Sequence, residues 1–220
     1  MLNISKRREL DENLTNVVND FLDNYLYSLP EFTEFQRIDN KEQQVLGVDV
    51  KFKLNGNFYI CDEKAAVTRI NQYLPTFCLE LSMLDRSGNL KDGWFLNKDN
   101  INDSYLFIWI DKATANEPSH FSQIKKLEVA LVRKVKILEF LDSLNWNEKN
   151  IRNKDYLIRE NKYFDINKNK FITKENLGNI QENNLKFSYS NHLVEQPVNL
   201  IIKREIYRNI SDYNKIIKVK

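Results

Sequence analysis

The sequence predicts an α/β protein, a mixed central β-sheet flanked by helices, and three observations carry that prediction. Apolar residues recur at helical spacing over residues 8–27 and again over residues 121–144. Between them lie segments of strand character at 47–66, 76–84, 93–96 and 104–111. The 220 residues are 42% hydrophobic, enough for a sizeable core, while five glycines are too few and too scattered for a phosphate-binding loop or a dinucleotide fingerprint.

In the first helix Leu10, Leu14, Val17, Val18, Phe21 and Tyr25 form the apolar stripe, with Glu9, Glu12, Asn16, Asp20 and Asp23 between them. Ser5 supplies a cap, and Pro30 lies just beyond the end. Residues 32–38 read as a short strand or extended lead-in, and residues 41–44 as a polar connection.

The segment GVDVKFKLNGNFYICDEKAA, residues 47–66, reads as one β-hairpin turning at Asn55-Gly56. A two-residue turn there sets Leu54 opposite Asn57, Phe52 opposite Tyr59, Val50 opposite Cys61 and Asp49 opposite Asp62, with Gly47 opposite Lys64. Val48, Val50, Phe52, Tyr59 and Cys61 then share an apolar face, and Asp49, Asp62 and Lys64 share the other. Opposed like charges with Cβ atoms roughly 5 Å apart are destabilising unless something neutralises them. A bound cation does so, and two carboxylates suit the few hard oxygens that Mg²⁺ takes from a protein.

Asp49, followed on the next strand by Asp62-Glu63-Lys64, resembles the motif of the PD-(D/E)XK nuclease superfamily. The resemblance spans residues 8–145 and implies a restriction-endonuclease-like fold. It further implies a metal-dependent endonuclease hydrolysing phosphodiesters, with Mg²⁺ (or Mn²⁺) held by Asp49, Asp62 and the Glu63 backbone carbonyl. Asp49, Asp62 and Lys64 are the implied catalytic set, Lys64 orienting or activating the attacking water. The helix before the hairpin sometimes supplies another acid in that family, and Glu12 is the corresponding position here; a solvated helix face is the alternative. Val48 stands where the family name has proline, and Asp62 where glutamate is commoner. No Gln-x-x-x-Tyr follows the triplet, which separates the chain from the helicase-fused subgroup. Acid-x-Lys also occurs at Asp39, Asp49 and Glu160, but only at Asp62 does it end an apolar strand.

Residues 65–74 read as a brief helix carrying Arg69 and Gln72, ended by Pro75. Strand 76–84 alternates, with Glu80 facing away from its leucines. Glu80 joins the acidic cluster if this strand pairs beside Asp62, and is a solvated strand acid otherwise. Trp94 and Trp109, in strand patterns, are assigned to the core. The helical pattern at 121–144 places Ile124, Leu127, Leu131, Val135, Leu138 and Leu141 on one stripe. Lys125, Lys126, Arg133, Lys134 and Lys136 populate its other positions, and the first four are the expected phosphate contacts. Beyond Trp146 the chain turns polar before a strand-like run at 193–210, so residues 1–145 are expected as the core and 146–220 as a polar C-terminal appendage. Residues 165–176 mimic a calcium loop but hold Lys170 at the glycine position and Asn176 at the bidentate position, and so read as a polar turn.

Residues 1–120 hold 13 Lys+Arg against 19 Asp+Glu, a balance of −6, whereas residues 121–220 hold 20 against 12, a balance of +8. An acidic, metal-binding half joined to a basic half suits a polyanion, with DNA first and RNA also admitted. No apolar run reaches membrane-spanning length, and Cys61 and Cys78, within strand patterns, read as buried reduced thiols, so a cytoplasmic protein without membrane partners is expected. His120 and His192 are too few for a His-based hydrolase and read as structural or solvent-facing. A restriction, phage-defence or repair nuclease, with homodimerisation compatible, is the leading expectation. The alternative is a nuclease-fold protein that binds nucleic acid or a protein without hydrolysis.

Overall fold

The computed structural model describes residues 4–161, 164–165, 170–171, 185–190 and 193–219. In chain order its elements are α1 (Ile4–Tyr25), β1 (Phe32–Arg37), α2 (Lys41–Val45), β2 (Val50–Leu54), β3 (Asn57–Ala65), β4 (Thr76–Leu84), β5 (Leu90–Asp92), β6 (Ser104–Ala113), β7 (Ile124–Arg133), α3 (Lys134–Ser143) and α4 (Glu148–Asn161). There follow β8 (Phe164–Asp165), β9 (Lys170–Phe171), β10 (Leu185–Tyr189), β11 (Val198–Lys203), α5 (Arg204–Ile210) and β12 (Tyr213–Lys218). The fold is mixed α/β. Two compact units share the chain: Met1–Leu74, Ile101–Lys134 and Ser211–Lys220 form one, Pro75–Asn100 and Val135–Ile210 the other. Residue 145, the division expected from sequence, lies inside the second.

The first unit holds a six-stranded sheet in the order β1-β2-β3-β6-β7-β12. Only β3 and β6 run parallel; the other neighbours are antiparallel. Leu14, Val18, Phe21 and Leu22 of α1 pack into one core with Val50, Phe52, Ile108, Leu127 and Val129 of the sheet. Each such burial is worth about 1.5–3 kcal/mol. The sheet curls around this helix until its two edges approach. Phe32 of β1 and Tyr213 of β12 meet edge to face at 5.4 Å. The Tyr213 hydroxyl and the Lys215 ammonium both donate to Glu31 Oε1, at 3.1 and 3.3 Å.

The structure differs from the sequence expectation at several elements. Residues 124–133 are strand β7, and of the expected long helix only Lys134–Ser143 is α-helical, with a 3-10 turn at Phe121–Gln123. In β7, Leu127, Val129 and Leu131 face α1, while Glu128, Ala130 and Val132 are buried on the other side. A strand buried on both faces has no period-2 alternation, so its leucines at 127 and 131 imitate a helix. The expected strand at 93–96 is a turn following β5, and the expected helix at 65–74 shrinks to a single 3-10 turn at Val67–Arg69. There β3 runs on through Ala65, and Asn71 and Tyr73 take left-handed φ values of 65° and 29°, which no helix accepts. The strand-like run at 193–210 splits into β11 and α5, and β12 adds an edge strand where an appendage was expected.

Strand β4 does not pair beside Asp62. It lies in the second unit's sheet, ordered β10-β11-β4-β5, with Glu80 opposite Asn199 of β11. In this unit α4 docks through charge: Arg159 donates to Ser82 Oγ at 2.8 and 2.6 Å, Ser82 donates to Asp155 at 2.5 Å, and Arg152 holds Asp92 with two bonds of 2.7 and 3.0 Å. Gly93 permits the turn after β5, because a Cβ there would stand 2.5 Å from the Glu80 carbonyl oxygen. Gly93→Ala is accordingly expected to destabilise the protein by about 1–3 kcal/mol, the usual cost of overpacking. Urea denaturation checks this, and an unchanged midpoint would contradict the close approach.

No helix among the described residues is long and apolar enough to cross a membrane. His120 is exposed and caps the 3-10 turn Phe121–Gln123, while His192 and most of the segment 165–176 lie outside the described residues. Trp109 is buried, as expected of a core residue, and Trp94 is half-buried.

Candidate functional site

Asn55 and Gly56 adopt φ of 48° and 82°, the pair of left-handed positions that a two-residue hairpin turn requires. The register follows: Leu54 pairs with Asn57, Phe52 with Tyr59 and Val50 with Cys61. One position past the last pair, the Asp49 N–H donates to the Cys61 carbonyl at 3.0 Å, and the Asp49 carbonyl accepts from Ile38 N–H at 2.8 Å. Asp49 Oδ2 accepts the Glu63 N–H at 2.8 Å. Asp49 is thus fixed from β1 on one side and β3 on the other, at the point where β2 begins.

Gly47 does not stand opposite Lys64. Asn40 caps α2 by accepting from the N–H groups of Glu42 and Gln43, and Gly47, at φ 74°, turns the chain out of that helix with its own N–H on Gln44. A helical exit thus uses the glycine that a longer strand would have placed beside the lysine.

Asp62 and Lys64 sit on β3 where it runs beside β6, aligned with Tyr105 and Phe107. The Asp62 side chain is 3% exposed, and its Oδ1 accepts from Lys64 Nζ at 2.7 Å. Its buried Oδ2 has no hydrogen-bond partner among the described residues. Burial first, and then the neighbouring Asp49 charge, push the Asp62 carboxyl up against the pull of Lys64, to about 7. The Asp49 charge thus acts directly on the Asp62 carboxyl. When both are ionised neither can donate to the other, so only a proton or a cation relieves the pair.

Glu63 turns to the opposite face. Its side chain is 5% exposed and is held by the Tyr27 hydroxyl at 2.7 Å and Arg37 Nη1 at 2.6 Å. In a strand the N–H and C=O of one residue point to the same side. The Glu63 carbonyl therefore faces the same side as the N–H that Asp49 accepts.

Of the further acids, Glu12 is exposed on α1 and Glu80 belongs to the second unit's sheet. The acid that α1 does bring near is Asp20. It lines a polar cleft of about 230 Å³ together with Asn16, Asn19, Arg37, Asp39 and Asp49. Sequence reading had Asn16 and Asp20 as polar flank residues, and their i, i+4 spacing was the available signal. Asp23, which binds Arg37, was read as a polar flank residue in the same way, and Arg37 and Tyr27 were missed.

Lys125, Lys126, Arg133 and Lys134 do not form one helical face. The first three are on β7, where Lys125 and Lys126 point to opposite sides, and Lys134 opens α3. Lys126 pairs with Asp111 at 3.1 Å, and Arg133 pairs with Asp103 and Asp212 at 3.5 and 3.7 Å while covering the Tyr59 ring at 4.2 Å.

No family model, curated protein or solved structure matches the chain. What the site can do therefore rests on its chemistry. Among the described residues no three His, Cys, Asp or Glu side chains gather as a ready-made metal cluster. Asp49 and Asp62 offer a cation two hard carboxylates, one bearing an orphaned buried oxygen. That donor set suits Mg²⁺ or Mn²⁺, which keep several waters and take few protein ligands.

Proposed function

We propose that this chain is a metal-dependent nuclease of restriction-endonuclease-like fold that hydrolyses phosphodiester bonds in DNA. The observation carrying this reading is the side-by-side pair Asp49 and Asp62, with a buried, unsatisfied Oδ2 and Lys64 2.7 Å from the other oxygen. The mixed sheet, whose single parallel pair of strands carries Asp62 and Lys64, also supports it.

Asp49, Asp62 and the Glu63 carbonyl would hold the Mg²⁺. When bound, the ion supplies charge for the phosphate oxygens and lowers the pKa of a water in its shell. Lys64, as an ammonium, cannot ligate a cation; it donates hydrogen bonds to the attacking water and to charge developing on the phosphate. The Glu63 N–H keeps Asp49 in place throughout.

Incubation of the purified protein with supercoiled, linear and single-stranded DNA, and with RNA, in Mg²⁺ or Mn²⁺ tests the reading. Cleavage of DNA that requires the metal and disappears in Asp49→Ala is the expected result. Binding of DNA with no cleavage of any substrate would instead favour a non-catalytic role.

A further inference from the structure

We infer that Glu63 is a positioning residue for the carboxylate pair, anchored by Tyr27 and Arg37; the inference rests on the metal-site reading of Asp49 and Asp62. Cys61 and Ala65, which flank Glu63 on the α1 face of β3, are apolar members of the core or packed against it. A carboxylate at such a position is costly unless paired and hydrogen-bonded, and burial accordingly pushes the Glu63 carboxyl up. Arg37 provides the pairing. Its Nε and Nη2 grip Asp23 of α1 at 2.5–3.1 Å while Nη1 reaches Glu63 at 2.6 Å. Burial works against the Arg37 charge, but its bonds to Asp23 and its attraction to Glu63 outweigh it and hold the guanidinium charged. The Tyr27 ring stacks on Phe35 at 4.3 Å, and the guanidinium lies 5.9 and 5.8 Å from those two rings.

Two of the three hydrogen bonds that fix Asp49 arise at this cluster, the third being its own N–H on the Cys61 carbonyl. The Glu63 N–H holds its carboxylate, and Ile38, next to Arg37 in the chain, holds its carbonyl, each at 2.8 Å. Strand β3 at residue 63 is thereby fastened to α1 and β1 through the Glu63 side chain, while Asp62 and Lys64 point to the other face and the Glu63 N–H reaches Asp49 along the sheet. Loosening the cluster lets this segment shift, and Asp49 loses its aim without any reacting group being touched. Partners behind metal ligands typically change metal affinity about 10–100-fold when removed.

The test compares Tyr27→Phe, Glu63→Leu and Glu63→Gln by Mn²⁺ calorimetry and by the proton shift of the residue 63 amide in metal-free protein. Glu63→Leu should weaken Mn²⁺ binding about 10–100-fold and move the amide signal upfield. Glu63→Gln, which can still accept from Arg37 and donate to the Tyr27 oxygen, should recover most of both. Tyr27→Phe, a mild change that keeps the ring, should weaken binding several-fold. Unaltered affinity in Tyr27→Phe and Glu63→Leu overturns the inference, and so does an equal fall in Glu63→Leu and Glu63→Gln that merely follows their melting temperatures. If wild-type protein binds no Mn²⁺, the metal-site reading fails. The amide shift then still decides whether Glu63 positions Asp49, and no difference between the Leu and Gln variants rejects it.

Discussion

Lys64→Ala is expected to lower DNA cleavage by about a hundredfold or more while the protein still binds metal. The size follows from losing one preorganised donor at a developing charge, which costs roughly 3 kcal/mol in comparable sites. The ammonium is close enough to Asp62, at 2.7 Å, to sit beside a water in the same site. Lys64→Arg should rescue little, because a planar fork does not reproduce a compact ammonium. Single-turnover cleavage at saturating Mg²⁺ separates this loss from binding. Wild-type rates in Lys64→Ala would remove the lysine from the mechanism.

Asp62→Asn is expected to stabilise the metal-free protein most at pH 8, less at pH 5, and scarcely at all below the ordinary carboxylate value of 3.8. The Asp62 carboxyl ionises at about 7 in the folded state against an ordinary value of 3.8, so the folded state binds more protons between those values. Stability therefore falls as pH rises through that window and stays low above it. At about 1.4 kcal/mol for each unit, the burden on the wild-type protein at pH 8 is a few kcal/mol. Asparagine keeps an acceptor for Lys64 and removes the buried charge. Urea midpoints at the two pH values check this, and Mn²⁺ should raise the wild-type midpoint at pH 8 but not that of Asp62→Asn. A pH-independent difference between the two proteins would mean that Asp62 is not the strained group.

The hairpin was legible because Asn-Gly admits few turn geometries, and the turn sets every pairing up to Val50 and Cys61. Helix α1 was legible because one face is buried and the other is wet, which leaves a 3.6-residue period. β7 was not, since both its faces are buried. The interleaving of two units was hidden too, because β4 and β5 enter the chain between β3 and β6 without a change of composition that would mark a boundary. At the site, the local pairing of acids and lysine could be counted along two strands. Asp20 could not be found in that way, because the packing of α1 against the curled sheet brings it close, nor could Arg37, which the pairing of β1 with β2 sets opposite Val50. Gly47 was misplaced for a smaller reason, the helical turn that Asn40 starts seven residues before the hairpin's expected beginning.

The most direct measurement is a calorimetric titration of metal-free protein with Mn²⁺ at pH 8, where Asp62 is ionised. One saturable site in the wild type, retained in Lys64→Ala and lost in both Asp49→Ala and Asp62→Asn, is the predicted result. Equal binding by Asp49→Ala, or no saturable binding by the wild type, would contradict a metal held between these two carboxylates.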